Sequence, residues 1–271
     1  MRLSTRLSLV VLVCGMFVAP VFAQSDDDSV LKPAEPDFTL IGLPTSLRLP
    51  RFKSAFRVTH RFIRPLGYGD FGDLTSDLFG LDNGAVISLE YRFGIIPNGQ
   101  IGIHRSSNAK TIQLFGQYGV TRQSRARLDL SAWVSVEGTD NLQENHQPAL
   151  GVIASRTFGE WAAVYVEPMW VNNSNPLPDE LVDHNNTTFV GVGARVRIRP
   201  TVYLTVDAAP RVAGFEPGVD YAAFAIEKRA GGHMFQLNFA NSFATTMGQF
   251  ARGGFASDEW HLGFNISRKF Y

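Results

Sequence analysis

The sequence predicts an all-β chain folded as a transmembrane antiparallel β-barrel of about twelve strands (ten to fourteen), and three observations predict it. The first is the last segment, residues 260–271. Trp260, Leu262, Phe264, Ile266 and Phe270 fall on one face of a strand, and His261, Gly263, Asn265, Ser267 and Lys269 on the other. An apolar outside, a polar inside and a terminal aromatic describe the closing strand of a bacterial outer-membrane barrel. A soluble sandwich strand alternates in the same way, so the other two observations decide: the leader at the front of the chain, and loop lengths that sort by parity.

The leader comes first in the chain. Arg2 and Arg6 form a positive n-region, and residues 7–18 are an apolar core too short to anchor a helix across a bilayer. Val21-Phe22-Ala23 then supplies a cleavage signal, with the cut expected between Ala23 and Gln24. The rival is lipidation at Cys14, the only cysteine. Val13 stands before it where a small residue is wanted, and too little apolar core lies upstream. Cleavage at Ala23 leaves a chain without cysteine, hence without disulfide, thiolate nucleophile or cysteine metal ligand.

Residues 24–50 read as a Pro-rich periplasmic lead-in. Ser25 to Asp28 is polar, and Pro33, Pro36, Pro44 and Pro50 interrupt any regular element. Two placements are open for its apolar patch, Phe38 to Leu43: a mobile periplasmic tail, or docking inside the barrel mouth.

Residues 51–271 form the barrel. Four strands are clear. Ala85, Ile87, Leu89, Tyr91 and Phe93 oppose Val86, Ser88, Glu90 and Arg92; Leu128, Leu130, Ala132, Val134 and Val136 oppose Asp129, Ser131, Trp133, Ser135 and Glu137. Val190, Val192, Ala194, Val196 and Ile198 oppose Gly191, Gly193, Arg195 and Arg197; Val202, Leu204, Val206 and Ala208 oppose Tyr203, Thr205 and Asp207. No charge interrupts the apolar sets, as a lipid face requires. The other segments are 52–63, 100–105, 110–119, 149–158, 161–170, 221–229, 232–240 and 259–270. Of these, 100–105 is short for a spanning strand, and 161–170 has an ambiguous register around Pro168.

Between them, residues 64–83, 138–148, 171–187, 210–220 and 241–258 are long connections. Residues 95–99, 106–109, 120–126, 159–160, 199–200 and 230–231 are short. Apart from 106–109, long and short alternate, as extracellular loops and periplasmic turns do in outer-membrane barrels. A sandwich has no reason to sort its loops by parity. Tyr91, Phe93, Phe158, Trp161, Phe270 and Tyr271 flank the short turns, and Trp170 and Trp260 lie near long loops, at the depths where amphipathic rings prefer to sit.

Composition agrees. The mean hydropathy is −0.03, close to what alternating lipid- and lumen-facing residues average to, and 21 phenylalanines with 25 glycines are many for a soluble domain. The formal charge of +0 argues against nucleic acid as a partner. The expected partners are outer-membrane lipid and lipopolysaccharide, the barrel-assembly machinery, and small solutes or ions.

Two groups of short strings carry a family resemblance. One is residues 231–242, Gly-Gly-His-Met-Phe-Gln-Leu-Asn-Phe-Ala-Asn-Ser, with Gly263 to Phe270; the other is His60-Arg61-Phe62 with Leu78 to Asp82. In their order and spacing they resemble a family of bacterial β-barrel proteins catalogued as a domain of unknown function. The resemblance runs from about Phe52 to the C-terminus. It implies an outer-membrane barrel and transfers no functional residue.

The lumen is the place to look for function. Projected inward are Arg57, Arg61, Glu90, Arg92, Asp129, Trp133, Glu137, Arg195, Arg197, Asp207, Gln236 and Asn238. Both signs are present: they either line an eyelet that passes small hydrophilic solutes or ions, or pair and fill the interior of a closed barrel that acts through its loops. A third reading, an interfacial lipid-modifying enzyme, rests on His104 and Ser106. These share a face but stand one strand period apart, and His104 reads better as a lumen or loop residue, so no enzyme is expected. Asp70, Asp73, Asp77 and Asp82 suit Ca²⁺ as oxygen ligands, but their spacing fits ordinary turn chemistry better. His60, His146, His184, His233 and His261 form no metal-ligand spacing. No metal or other cofactor is expected.

Overall fold

The structure is a computed structural model, and it describes residues 33–175 and 185–270. The leader with Cys14, the Ala23–Gln24 junction, residues 25–28, Asp183 and His184, and Tyr271 lie outside the described residues.

Among the described residues, every predicted segment forms a strand, and each pairs antiparallel with its neighbours. They are β1 (Ser54–Pro65), β2 (Ala85–Ile96), β3 (Gly99–Ser106), β4 (Ile112–Thr121), β5 (Asp129–Gly138), β6 (Glu144–Phe158), β7 (Ala162–Asn172), β8 (Asn186–Arg199), β9 (Val202–Ala209), β11 (Tyr221–Ala230), β12 (His233–Ala240) and β13 (His261–Phe270). Closure comes from β1 pairing with β13, with Val58 opposite Ile266. A short β10 (Arg211–Ala213) adds to β8 at the long-loop end, outside the ring of twelve.

Alternation explains both faces. On β2, Ile87, Leu89 and Tyr91 are exposed while Ser88, Glu90 and Arg92 are buried; on β5, Val134 is exposed between buried Trp133 and Ser135. The outward residues pair across strands into one apolar belt, as where Phe224 stacks on its register partner Phe239 at 4.9 Å. So continuous an apolar surface is unfavourable in water and suits hydrocarbon. Polar His60 also lies on this face, its ring stacked 4.3 Å from Phe264. The short β3 is a full member of the wall, paired from Gly99 to Arg105 with β4 and to Ser106 with β2.

One connection differs from expectation. Residues 138–148 are not a long loop: β5 runs to Gly138 and β6 starts at Glu144, so Glu137 pairs with Gln147 and Thr139 bridges Glu144. Glu144, Asn145 and His146 are exposed. They carry no apolar alternation because they are held by ladder hydrogen bonds beyond the apolar belt. Residues 107–111 also make a tight connection, so the long loops are 66–84, 173–185, 214–220 and 241–260.

Val134 stands mid-strand on the lipid face, opposite Leu150 and Gly116. Val134→Arg should destabilise the folded barrel by about 2–4 kcal/mol, read by denaturant titration of folding into lipid vesicles. A change within about 0.5 kcal/mol would contradict the lipid exposure of this face.

Candidate functional site: a lumen filled from both ends

The inner wall is built by the second residue of each alternating pair. Arg57 and Arg61 come from β1, Glu90 and Arg92 from β2, Asp129, Trp133 and Glu137 from β5, Arg195 and Arg197 from β8, Asp207 from β9, Gln236 and Asn238 from β12. All but Arg197 are buried. Arg197 lies at the short-turn end, donating to Glu160 at 3.3 Å and to the Pro200 carbonyl.

What covers Arg57, Arg61, Arg195, Asp207 and Gln236 is the lead-in. Residues 33–50 enter the barrel as a hairpin, so the Phe38 to Leu43 patch docks in the interior. Phe38, Leu40, Ile41, Leu43, Leu47 and Leu49 are all buried. The amide of Leu40 donates to the Leu43 carbonyl at 2.8 Å and that of Thr45 to Phe38 at 2.9 Å, which closes a tight tip. Prolines at 36 and 44 suit a segment that pairs with no neighbouring strand.

The tip lies against charged wall groups. Asp207 Oδ2 accepts from the successive amides of Ile41, Gly42 and Leu43 at 3.0, 2.8 and 3.1 Å, and Oδ1 accepts from the Tyr221 hydroxyl at 3.0 Å. On the other side of the tip the Ile41 carbonyl accepts from Arg57, from Arg61 at 3.3 Å and from Asn265 at 3.2 Å. Gln236 donates to the Leu40 carbonyl at 3.1 Å. Arg195 donates to Thr39 O at 2.7 Å while making a two-pronged pair with Glu227 at 2.8 and 3.0 Å. Toward the short-turn end, Gln117 and Gln100 donate to the carbonyls of Thr45 and Leu47 at 2.8 and 3.2 Å. Ser267 donates to Asp37 at 2.6 Å, with Lys269 3.5 Å from the same carboxylate. Apolar contact fills the gaps: a Cβ on Gly193 would lie 2.3 Å from Leu40, and one on Gly191 2.9 Å from Leu43. These two wall glycines leave the room that the hairpin's leucines occupy.

The long loop 241–260 fills the opposite end. Its short helix, Met247–Ala251, is buried throughout. Glu137 accepts from Thr246 Oγ1 and from the Gly248 amide, both at 2.8 Å, so a wall carboxylate caps the helix start. Thr245 lies 3.1 Å from both His104 Nε2 and Ser88. Arg211 in β10 donates to Asp220 at 3.0 Å and to the Arg252 carbonyl at 3.3 Å, tying two loops together. Phe250 reaches the centre. Its ring packs 4.8 Å from Tyr221, and a Cβ on Gly42 would lie 2.6 Å from it. Hairpin and loop therefore meet mid-barrel at Gly42.

The other sequence candidates have local partners. His104 Nδ1 lies 3.3 Å from Glu90, whose other oxygen takes Arg92. Ser106 Oγ accepts from the Asn108 amide at 3.2 Å, so the two are not turned toward each other. Trp133 stacks on Phe115 at 4.7 Å. Asp70 and Asp73 form a reciprocal helix cap, and Asp77 takes Gly80 N and an ion pair with Arg64.

Glu227, Gln100 and Gln117, which alternation did not single out, complete the site together with Asn265 and Lys269 from the inner face of the last strand; each lies on the inward parity of its own strand. Glu167 is buried on β7, with neither oxygen bonded among the described residues. At the short-turn end the hairpin leaves a vestibule of about 470 Å³ beside Arg48, Arg122 and Asp129.

Residues 38–270 match the family model described as "Membrane bound beta barrel domain (DUF5777)". Among solved structures the chain is similar to an outer membrane channel from Pseudomonas putida F1 (12% identity, TM-score 0.48, covering 82% of this chain and 97% of that one). It is also similar to the Acinetobacter baumannii outer membrane protein Omp33 (10%, 0.47, 81% and 98%) and to the NanC porin (7%, 0.49, 80% and 99%). No curated protein matches.

Two consequences are measurable. Glu137→Ala strands Thr246 and the Gly248 amide, and should destabilise the inward loop by about 1–3 kcal/mol, seen as faster hydrogen exchange over residues 245–250. Burial alone would raise the Asp37 carboxyl, but Lys269, the Ser267 hydroxyl and then Arg195 and Arg57 outweigh it and hold it below its ordinary 3.8. A lowered folded value contributes stability above the unfolded pKa of about 3.9, and that stability is lost as pH falls through the folded value. The exchange difference between wild type and Asp37→Asn over residues 33–50 should therefore hold from pH 7 to about 4 and shrink only below that. A difference that fades near pH 6 would contradict it.

Proposed function

We propose that this chain, which belongs to the DUF5777 family of membrane-bound β-barrel domains, is an outer-membrane channel for small hydrophilic solutes or ions that its N-terminal hairpin and the inward loop 241–260, meeting at Gly42, hold closed. In this reading the short turns face the periplasm and the long loops the exterior. A leader cleaved at Ala23 delivers the chain there, and lipopolysaccharide and the barrel-assembly machinery are the partners of the wall.

The observation that carries the reading is the composition of the wall behind the hairpin. A barrel that only needs filling is filled most simply by apolar side chains from its own strands. Here the wall offers Arg57, Arg61, Gln100, Gln117, Gln236 and Asn265 toward the hairpin, and each donates a hydrogen bond to a main-chain carbonyl of it. Withdrawn, the hairpin leaves a surface that water and hydrophilic solutes solvate well. The vestibule beside Arg48 lies at the short-turn end of that surface.

The second reading, a closed barrel acting through its loops, is favoured by the apolar seating of Phe250 on Tyr221 and Gly42. One experiment separates the two. Gly42→Phe puts a ring where a Cβ alone would stand 2.6 Å from Phe250 and 2.8 Å from the Tyr221 hydroxyl, so the tip cannot seat. In planar bilayers, wild type should be silent or open rarely, and Gly42→Phe should show stepwise conductance with openings at least tenfold more frequent. A correctly inserted, silent Gly42→Phe barrel overturns the channel reading in favour of the closed one.

A further inference from the structure

The hairpin tip is bound as a ligand would be, and its chemistry names a class of solute. Resting on the channel reading, the geometry points to a seat for a zwitterionic α-amino acid between Asp207 on β9 and Arg57 with Arg61 on β1, which the Ile41 residue of the tip occupies when the barrel is closed. Ile41 gives its own amide to Asp207 at 3.0 Å and its own carbonyl to Arg61 at 3.3 Å, to Arg57 and to Asn265 at 3.2 Å. The same N–Cα–C–O chain joins the ammonium and the carboxylate of a free amino acid, so the two wall poles stand at the span such a solute offers.

The match improves when real charges replace the peptide groups. Asp207 Oδ2 takes three separate amides from the tip; an ammonium carries that many donors on one atom and adds its charge. Two guanidiniums share a single neutral carbonyl, and Arg61 Nε has no partner among the described residues. A carboxylate has two oxygens to give them and the opposite charge. A simple anion would sit beside the Asp207 carboxylate, and a simple cation beside two arginines. Only a solute carrying both ends answers both poles. Next to the tip, Gly193 and Gly191 make room for Leu40 and Leu43, so an apolar side chain of leucine size has space along β8.

Leucine is the probe, with 4-methylpentanoate and 3-methylbutylamine as the same carbon skeleton lacking one pole each. In Gly42→Phe channels, leucine should block the ion current at a concentration at least tenfold below either analogue. Adding Asp207→Asn or Arg61→Gln should each abolish that preference, while Glu216→Gln on the exposed 214–220 loop leaves it. Current without preference for leucine overturns the seat and leaves the channel standing. If Gly42→Phe inserts but carries no current, equilibrium binding of labelled leucine decides: binding tenfold tighter than the analogues keeps the seat and overturns the channel, and its absence overturns the seat. If that variant fails to fold, the unmodified chain decides. Leucine competing for Asp207 should speed amide exchange at residues 41–43 at least threefold with both analogues inert, and no change overturns the seat.

Discussion

One carboxylate organises the interior. A tight tip at the centre of a barrel presents successive amides that no strand can pair, and buried amides without an acceptor are costly. Asp207 Oδ2 takes all three. That places the amide edge of the tip toward β9 and turns its carbonyls toward β1, β12 and β13, where Arg57, Arg61, Gln236 and Asn265 supply the donors. The two signs of charge on the wall are thus complementary to a polar main chain and not chiefly to each other. Arg92 with Glu90 and Arg195 with Glu227 are pairs within the wall, and the second still spends one bond on Thr39.

The barrel wall was legible because the bilayer imposes it residue by residue. Charge at mid-depth on the lipid face is costly, so parity alone assigns β2, β5, β8 and β9 to their faces. Short β3 was marginal by length, but its Ile101 and Ile103 face the lipid and its pairing is complete on both sides. The 138–148 connection escaped because strand extensions above the membrane answer to pairing alone and lose the apolar signature.

The filling of the lumen was less legible, for a different reason. Inward parity revealed that Asp207 and Arg57 face the interior, but nothing in alternation tells whether water or protein meets them. The lead-in's run from Phe38 to Leu43 signalled an apolar surface in need of cover; its seat depends on Gly191 and Gly193, whose role is to be absent as side chains. The inward fold of residues 241–260 had still less trace, since Thr246, Gly248 and Gln249 are ordinary loop residues until Glu137 is beside them.

The hairpin's position also dictates an order of assembly. It lies ahead of β1 in the chain, yet Asp37 is bonded to Ser267, 230 residues away, and its other partners are spread over β3, β7, β8, β9 and β12. Contacts of such sequence separation form late, because the loop entropy they cost must be met before they return anything. The hairpin cannot reach its final bonds until β1 has met β13, and the seam that completes the cylinder is the same event that assembles its seat. A newly closed barrel therefore passes through a stage in which Asp207, Arg57 and Gln236 face the interior without the main-chain partners that the hairpin later brings.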